Sequence, residues 1–218
     1  ITTILIWIVS PFRPAFSFSW TGLREIVIFS IHLLGFNTVN YFSRNADYLL
    51  IGRFLGATPL GLYTMAYNIM LLPLSSLTQV LARVLFPALA RRQSDLRAFR
   101  RGYLQAVASV ALISFPFMMG VFAVAPDFVP LVLGEKWIPI IPVVRVLVWV
   151  GMVQSIIALN GPVYIALGHV GLRFRLALLF STISVAGIAI GLSFGSIFTT
   201  AVGYALAAAL IVLPAIYI

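Results

Sequence analysis

The chain has 218 residues, 62% hydrophobic and 9% charged, whereas a soluble globular domain has roughly 45–50% apolar and about 25% charged residues. Its mean hydropathy of +1.11 cannot cover a water-facing surface, so the chain reads as a polytopic membrane protein, all-α because a spanning helix satisfies its own backbone groups. Lysine and arginine number 14 against 5 acidic residues, a formal charge of +9, but they fall in short clusters between apolar spans, which argues against a nucleic-acid partner, and the absence of cysteine excludes disulfides, thiolate metal sites and cysteine nucleophiles.

Residues 1–9, ITTILIWIV, read as the last turns of a helix, and the far end, LIVLPAIYI, stops inside apolar sequence. The chain therefore reads as a piece of a longer protein, and no cleavable signal peptide can be assigned. With about 20 mostly apolar residues needed per spanning helix, residues 1–25 form the end of a preceding helix and a cytoplasmic linker. Residues 26–218 form a transmembrane bundle with spans at about 26–54, 60–89, 102–124, 138–168, 176–194 and 200–218.

The connections separate by charge. One set carries Arg13 and Arg24, then Arg91, Arg92, Arg97, Arg100 and Arg101, then Arg173 and Arg175; the other carries Asp127, Glu135 and the single Lys136. Short arginine-rich loops stay on the cytoplasmic side, so the first complete helix is expected to run inward to outward. The tract from Arg91 to Arg101 reads as an amphipathic linker that sets topology and meets anionic membrane lipids.

The first span, HLLGFNTVNYFSRNADYLLIGRFLG, carries the most information. At about 100° per residue, Asn37, Asn40, Arg44 and Asp47 fall within an arc of about 80° and share one face of an otherwise apolar helix. Lipid does not accept such a face, so Arg44 and Asp47 are expected to meet a cavity or each other. In one reading Arg44 attracts an anionic substrate while Asp47 orients it or carries a coupling proton. In the other both snorkel to the outer interface and form a structural i, i+3 pair. Arg53, closing the span before Gly56, reads as an interface anchor, and His32 reads as a hydrogen-bonded packing residue with a lesser claim to proton relay.

On the second span Asn68, Gln79 and Arg83 could continue the polar face, although Arg83 lies near enough to the inner surface to be a topology residue. Pro73 and Pro116 are expected to kink their helices. The fourth span offers Arg145, Gln154 and Asn160 as cavity candidates and breaks at Asn160-Gly161-Pro162. In the fifth, Gly187, Gly191 and Gly195 recur every fourth residue, a spacing that admits a close neighbouring helix or merely fills an apolar span.

Catalytic motifs are absent from the sequence. GxxxxGK[ST] has no match, and His32 and His169, the two histidines, lie in different segments with no metal-ligand spacing. The longest outward loop, about 125–137, offers only Asp127 and Glu135, too little to hold a glycan acceptor and its acid/base groups. No catalytic residue, metal site or cofactor is expected.

The run Asn40-Tyr41-Phe42-Ser43-Arg44-Asn45-Ala46-Asp47, continuing to Gly52-Arg53 and followed by LGLYTMAYNIMLLPL, VLFPALARRQSD and GEKWIPIIPVVRVL, resembles the bacterial polysaccharide exporters. The similarity is to the colanic acid, succinoglycan and teichuronic acid branch of the multidrug/oligosaccharidyl-lipid/polysaccharide exporter superfamily, and it covers most of residues 10–175. The resemblance implies a transporter of two helical bundles around a cavity that opens alternately to each side. This chain would be the second bundle, of about six spans plus an N-terminal stub, partnered by the N-terminal bundle of the same protein. The implied cargo is an undecaprenyl-pyrophosphate-linked oligosaccharide moved from inner to outer leaflet of the bacterial plasma (inner) membrane, with Arg44 as the cavity cation, and the coupling ion, proton or sodium, stays open. The alternatives are a cation-coupled multidrug exporter, which would need more acidic residues than Asp47, a membrane glycan polymerase or ligase, and a scaffold without transport.

Overall fold

The computed structural model describes residues 19–72, 95–160, 163–164 and 170–217, and among these no strand occurs. The chain is an all-α helical membrane bundle. Helix α1 spans Trp20–Phe54, α2 residues 57–72, α3 Leu96–Phe128, α4 Ile141–Ile157, α5 Val170–Leu192 and α6 Ile197–Tyr217. The stretches Ile26–Phe54, Arg97–Leu133, Glu135–Ile157 and Gly171–Leu192 are each long and apolar enough to cross a membrane, and Ile197–Val212 is a shorter apolar stretch. Of the six expected spans, the second is described only as far as residue 72; Pro73, Gln79, Arg83, Arg91, Arg92 and His169 lie outside the described residues, as do Gly161 and Pro162.

The elements begin and end where backbone chemistry dictates. Helix α1 starts at Trp20, so residues 20–25, expected as linker, are helical. It stops because Gly56 takes φ +92, a left-handed conformation costly to any residue with a Cβ; its N–H reaches back to the Ile51 carbonyl at 3.2 Å. Asp95 caps α3, its Oδ1 accepting from the backbone N–H groups of Arg97 and Ala98, both at 3.0 Å. This satisfies two of the four donors a helix start leaves free. Helix α5 begins six or so residues earlier than its apolar run, so Arg173 and Arg175, expected in a loop, sit in its first turns.

The expected outward loop is also mostly helical. Helix α3 continues to Phe128, a wide π-type turn covers Val129–Leu133, and after Gly134 at φ +94 a tight 3₁₀ turn covers Glu135–Ile140. Pro116 and Pro126 both lie within α3 without ending it.

Helix α4 is the axis of the core. Val143, Val144, Leu147, Val148 and Gly151 are buried, packed between α3 and α6. A Cβ on Gly151 would lie 2.9 Å from both Met70 Cγ and Met118 Cε, so the absent side chain makes room for two methionines from neighbouring helices. Ser114 Oγ donates to Ser155 Oγ at 3.0 Å, and Ser155 donates onward to the Met152 carbonyl at 2.7 Å. These bonds tie α3 to α4 with polar groups satisfied inside the bundle.

Helices α5 and α6 meet backbone to backbone. A Cβ on Gly187 would stand 2.6 Å from the Gly203 carbonyl oxygen, and Gly191 and Gly203 face the Thr199 and Gly187 carbonyls more closely still. Two of the three regularly spaced glycines therefore do serve close packing. Gly195 does not: it sits at φ +71 in the turn between the helices, because α5 ends at Leu192. Helix α1 packs on α5, where Phe174 fills the space over Gly35 and the Arg173 guanidinium lies 3.7 Å over the Phe36 ring.

Candidate functional site

The expected polar face of α1 divides in the folded chain. Asn37, Asn40 and Arg44 are exposed, whereas Asp47 retains 3% of its surface. No ion pair joins Arg44 to Asp47 among the described residues, so the structural pair expected as one alternative does not form. The reason is directional: Asp47 lies at one edge of the 80° arc, and α2 covers that edge only.

What covers it is aromatic. Tyr63 and Tyr67, one turn apart on α2, are buried at 0% and 4% exposure, and their rings stack at 6.2 Å between centroids. Tyr48 meets both edge-on, at 6.3 and 5.9 Å. Asp47 accepts the Tyr48 backbone N–H at 2.9 Å. The buried Tyr63 hydroxyl lies beside the Asp47 carboxylate, with no partner at full hydrogen-bond geometry among the described residues.

The cluster reaches α4 and α6 through Tyr204. Gln154 Nε2 donates to the Tyr204 hydroxyl at 2.7 Å, and that hydroxyl lies within the electrostatic reach of both Asp47 and Arg44. Gln154 Oε1 is buried with no partner among the described residues. Asp47, the Tyr63 hydroxyl and the Gln154–Tyr204 pair thus bring polar groups from four helices into the apolar bundle, where buried polar groups are normally paired.

The other sequence-predicted residues lie apart from this cluster. Asn68 is exposed on α2, while Asn160 accepts from the Tyr103 hydroxyl, a bond between α3 and the turn after α4. Arg145 packs against α3, its guanidinium 5.0 Å from the Phe122 ring centroid. His32, expected to hydrogen-bond, instead packs against the Phe174 ring at 6.2 Å and makes no hydrogen bond among the described residues. Arg53 is exposed at the end of α1. No three of His, Cys, Asp and Glu come together as a metal centre among the described residues.

Sequence reasoning missed Tyr48, Tyr63, Tyr67 and Tyr204. The i, i+4 tyrosines in LGLYTMAYNIM, and the tyrosine directly after Asp47, were the available signal.

An all-α bundle with four helices long and apolar enough to cross a membrane among the described residues defines an integral membrane protein. The polysaccharide biosynthesis protein family model matches residues 1–142, and the chain belongs to that family. It is 36% identical over 173 residues to the teichuronic acid biosynthesis protein TuaB of Bacillus subtilis (strain 168), covering 78% of this chain and 36% of that protein. It is 34% identical over 180 residues to the lipopolysaccharide biosynthesis protein WzxC of Escherichia coli (strain K12), covering 83% and 37%. The succinoglycan biosynthesis transport protein ExoT of Rhizobium meliloti (strain 1021) is 23% identical over 142 residues, 65% of this chain and 29% of that protein. The chain thus spans 29–37% of these relatives' length. No solved structure matches it.

Proposed function

We propose that this chain is one bundle of an exporter that moves a polyprenyl-pyrophosphate-linked oligosaccharide from the inner to the outer leaflet of the bacterial inner membrane, the remainder of the protein supplying the second bundle. The observation that carries the reading is the exposed row Asn37, Asn40 and Arg44 on a spanning helix. Lipid would reject that row, and an exposed arginine with no ion pair among the described residues would lower the cost of bringing a pyrophosphate into the membrane plane while its hydrocarbon stays in lipid. Relatives named for the biosynthesis and transport of acidic and other polysaccharides support the cargo class. Alternating access follows from the two-bundle arrangement, the bundles rocking about a site between them.

Asp47 is the group we assign to coupling. Its burial beside Tyr63 and Tyr204 means that charge at this position is set by a bound proton or monovalent cation rather than by Arg44. Arginine-rich short connections put the start of α1, the capped start of α3 and the start of α5 on the cytoplasmic side.

A cationic-drug exporter would place its acid where a drug could reach it. Asp47 is instead sealed by Tyr63 and Tyr67, which favours the anionic cargo. A glycan polymerase or ligase would need acid/base groups on an outer loop, and the compact turns over 129–140 offer only Glu135 and Lys136.

The test is leaflet transfer of a fluorescent lipid-pyrophosphate oligosaccharide by the full-length protein in proteoliposomes. The parent should transfer it, Arg44→Ala should lose most of the rate, and Arg44→Lys should keep part. An unaffected Arg44→Ala would remove the arginine from the site, and export of cationic dyes instead would move the protein to the drug-exporting class.

A further inference from the structure

Arg145 is the one charged residue of α4, and the fold gives it a defined seat. Pro126 has no N–H, so the carbonyl four residues earlier, that of Phe122, loses its helical donor. Arg145 Nε donates to that carbonyl at 3.4 Å, and the guanidinium lies over the Phe122 ring. One nitrogen of the three is thereby engaged. Its terminal amino groups have no hydrogen-bond partner and no carboxylate among the described residues.

Arg145 lines a groove of about 590 Å³ between α4 and α6. Apart from Arg145 its lining is apolar, and its walls face outward: Trp149 is 54% exposed, Phe198 42% and Leu206 63%. A second groove of about 610 Å³, between α2 and α3 around Phe117 and Phe128, has no charged residue at all. The contrast separates a surface that any acyl chain could cover from one that also requires a negative charge.

We propose that the α4–α6 groove holds one anionic phospholipid, its phosphate on the free amino groups of Arg145 and an acyl chain along Trp149, Phe198 and Leu206. Charge complementarity selects this occupant. An unpaired guanidinium within an apolar span is costly at all times, so its counter-charge must be resident, and membrane phospholipid is always present whereas an exported lipid is present only in transit. A planar guanidinium with two free amino groups suits bidentate contact with a phosphate. The proposal does not depend on the transport reading.

The full-length protein, with every tryptophan except Trp149 replaced by phenylalanine, is reconstituted in vesicles containing chain-brominated phosphatidylglycerol or chain-brominated phosphatidylcholine. Bromine quenches a tryptophan only on contact. Quenching of Trp149 by the phosphatidylglycerol should need a roughly tenfold lower mole fraction than by the phosphatidylcholine, as a charge-assisted contact predicts. Arg145→Gln should abolish that preference and Arg145→Lys should retain part of it. Native mass spectrometry of the protein with its natural tryptophans provides a second readout, one retained phosphatidylglycerol that is lost in Arg145→Gln.

Equal quenching by both lipids in the parent would overturn the proposal. So would preferential displacement of the phosphatidylglycerol by added undecaprenyl phosphate, which would make the groove a carrier site. Protection of Trp149 from both lipids, together with crosslinks from position 149 to the other bundle, would make it a protein interface. Because no glycan or flipping is measured, failure here leaves the transport reading standing, and failure of transport leaves this site standing.

Discussion

The Asp47 cluster and the Arg145 groove each hold a charge inside an apolar bundle without an ion-pair partner among the described residues, and they solve that problem in opposite ways. Asp47 is drawn in and closed over by tyrosines: it accepts the Tyr48 N–H, and the buried Tyr63 hydroxyl lies beside it. Arg145 is drawn out, leaning on a carbonyl freed by Pro126 and on an aromatic face, with its amino groups toward a groove open to the surroundings. A sealed charge responds only to something as small as a proton or a metal cation. An open one responds to whatever the membrane offers. The sign of each charge mattered less to its role than what the neighbouring helices cover.

The largest effect expected from breaking this contrast is at Asp47. Asn keeps the side-chain shape and the acceptor for the Tyr48 N–H while removing the exchangeable charge, so Asp47→Asn should slow gradient-driven transfer by about a hundredfold, roughly 2.7 kcal/mol in barrier. Thermal unfolding of the same variant should stay close to the parent. A variant that unfolds early yet transfers normally when assayed cold would make Asp47 a structural acid. Next in size is Tyr204→Phe. It strips Gln154 Nε2 of its acceptor and leaves a buried amide wholly unpaired, which should cost about 2 kcal/mol of stability; denaturant titration in detergent measures it, and a neutral result would mean that Gln154 finds another acceptor.

A smaller effect links Pro126 to Arg145. Pro126→Ala returns an N–H to the Phe122 carbonyl, so Arg145 Nε becomes redundant there. A double-mutant cycle with Arg145→Gln should then show coupling of about 0.5–1 kcal/mol, whereas strict additivity would mean that the 3.4 Å contact contributes nothing.

Spans and breaks were legible because lipid imposes length and hydropathy on every spanning helix. Thus α1 and α3 include the apolar runs of sufficient length, and α4 ends at Ile157, ahead of Asn160, while Gly161 and Pro162 lie outside the described residues. Boundaries marked by arginine were less legible. Arg173 and Arg175 look like loop residues, but both are helical in α5, with the Arg173 guanidinium lying over the Phe36 ring. The α1 arc identified the correct face and could not say which edge a neighbour would cover, so Asp47 and Arg44 looked like partners. The tyrosine cage was hidden for a different reason: tyrosine is equally at home in cores, interfaces and membrane boundaries, and only the meeting of α1, α2 and α6 gives Tyr48, Tyr63, Tyr67 and Tyr204 a common purpose. Arg145 was legible as a candidate for the cavity, yet its contact with the carbonyl freed by Pro126 required knowing that α3 and α4 pack side by side.

The smallest expected effect is the most discriminating for the sealed site. Tyr63 is fully buried and its hydroxyl has no partner at full hydrogen-bond geometry among the described residues, so Tyr63→Phe should remove a desolvated polar group and sacrifice little bonding. Its stability should remain within about 0.5 kcal/mol of the parent, or rise slightly. Ring packing against Tyr48 and Tyr67 is preserved, since phenylalanine has the same ring. The hydroxyl should matter only when Asp47 releases or takes its ion, and the dependence of transfer on the driving gradient is then expected to shift while the unfolding midpoint does not. A loss of more than about 1 kcal/mol would instead show a hydroxyl already bonded to Asp47. The cluster would then be a closed hydrogen-bonded network with no vacancy for an ion, and the distinction between a sealed responsive acid and an open lipid-facing arginine would collapse into two forms of structural anchoring.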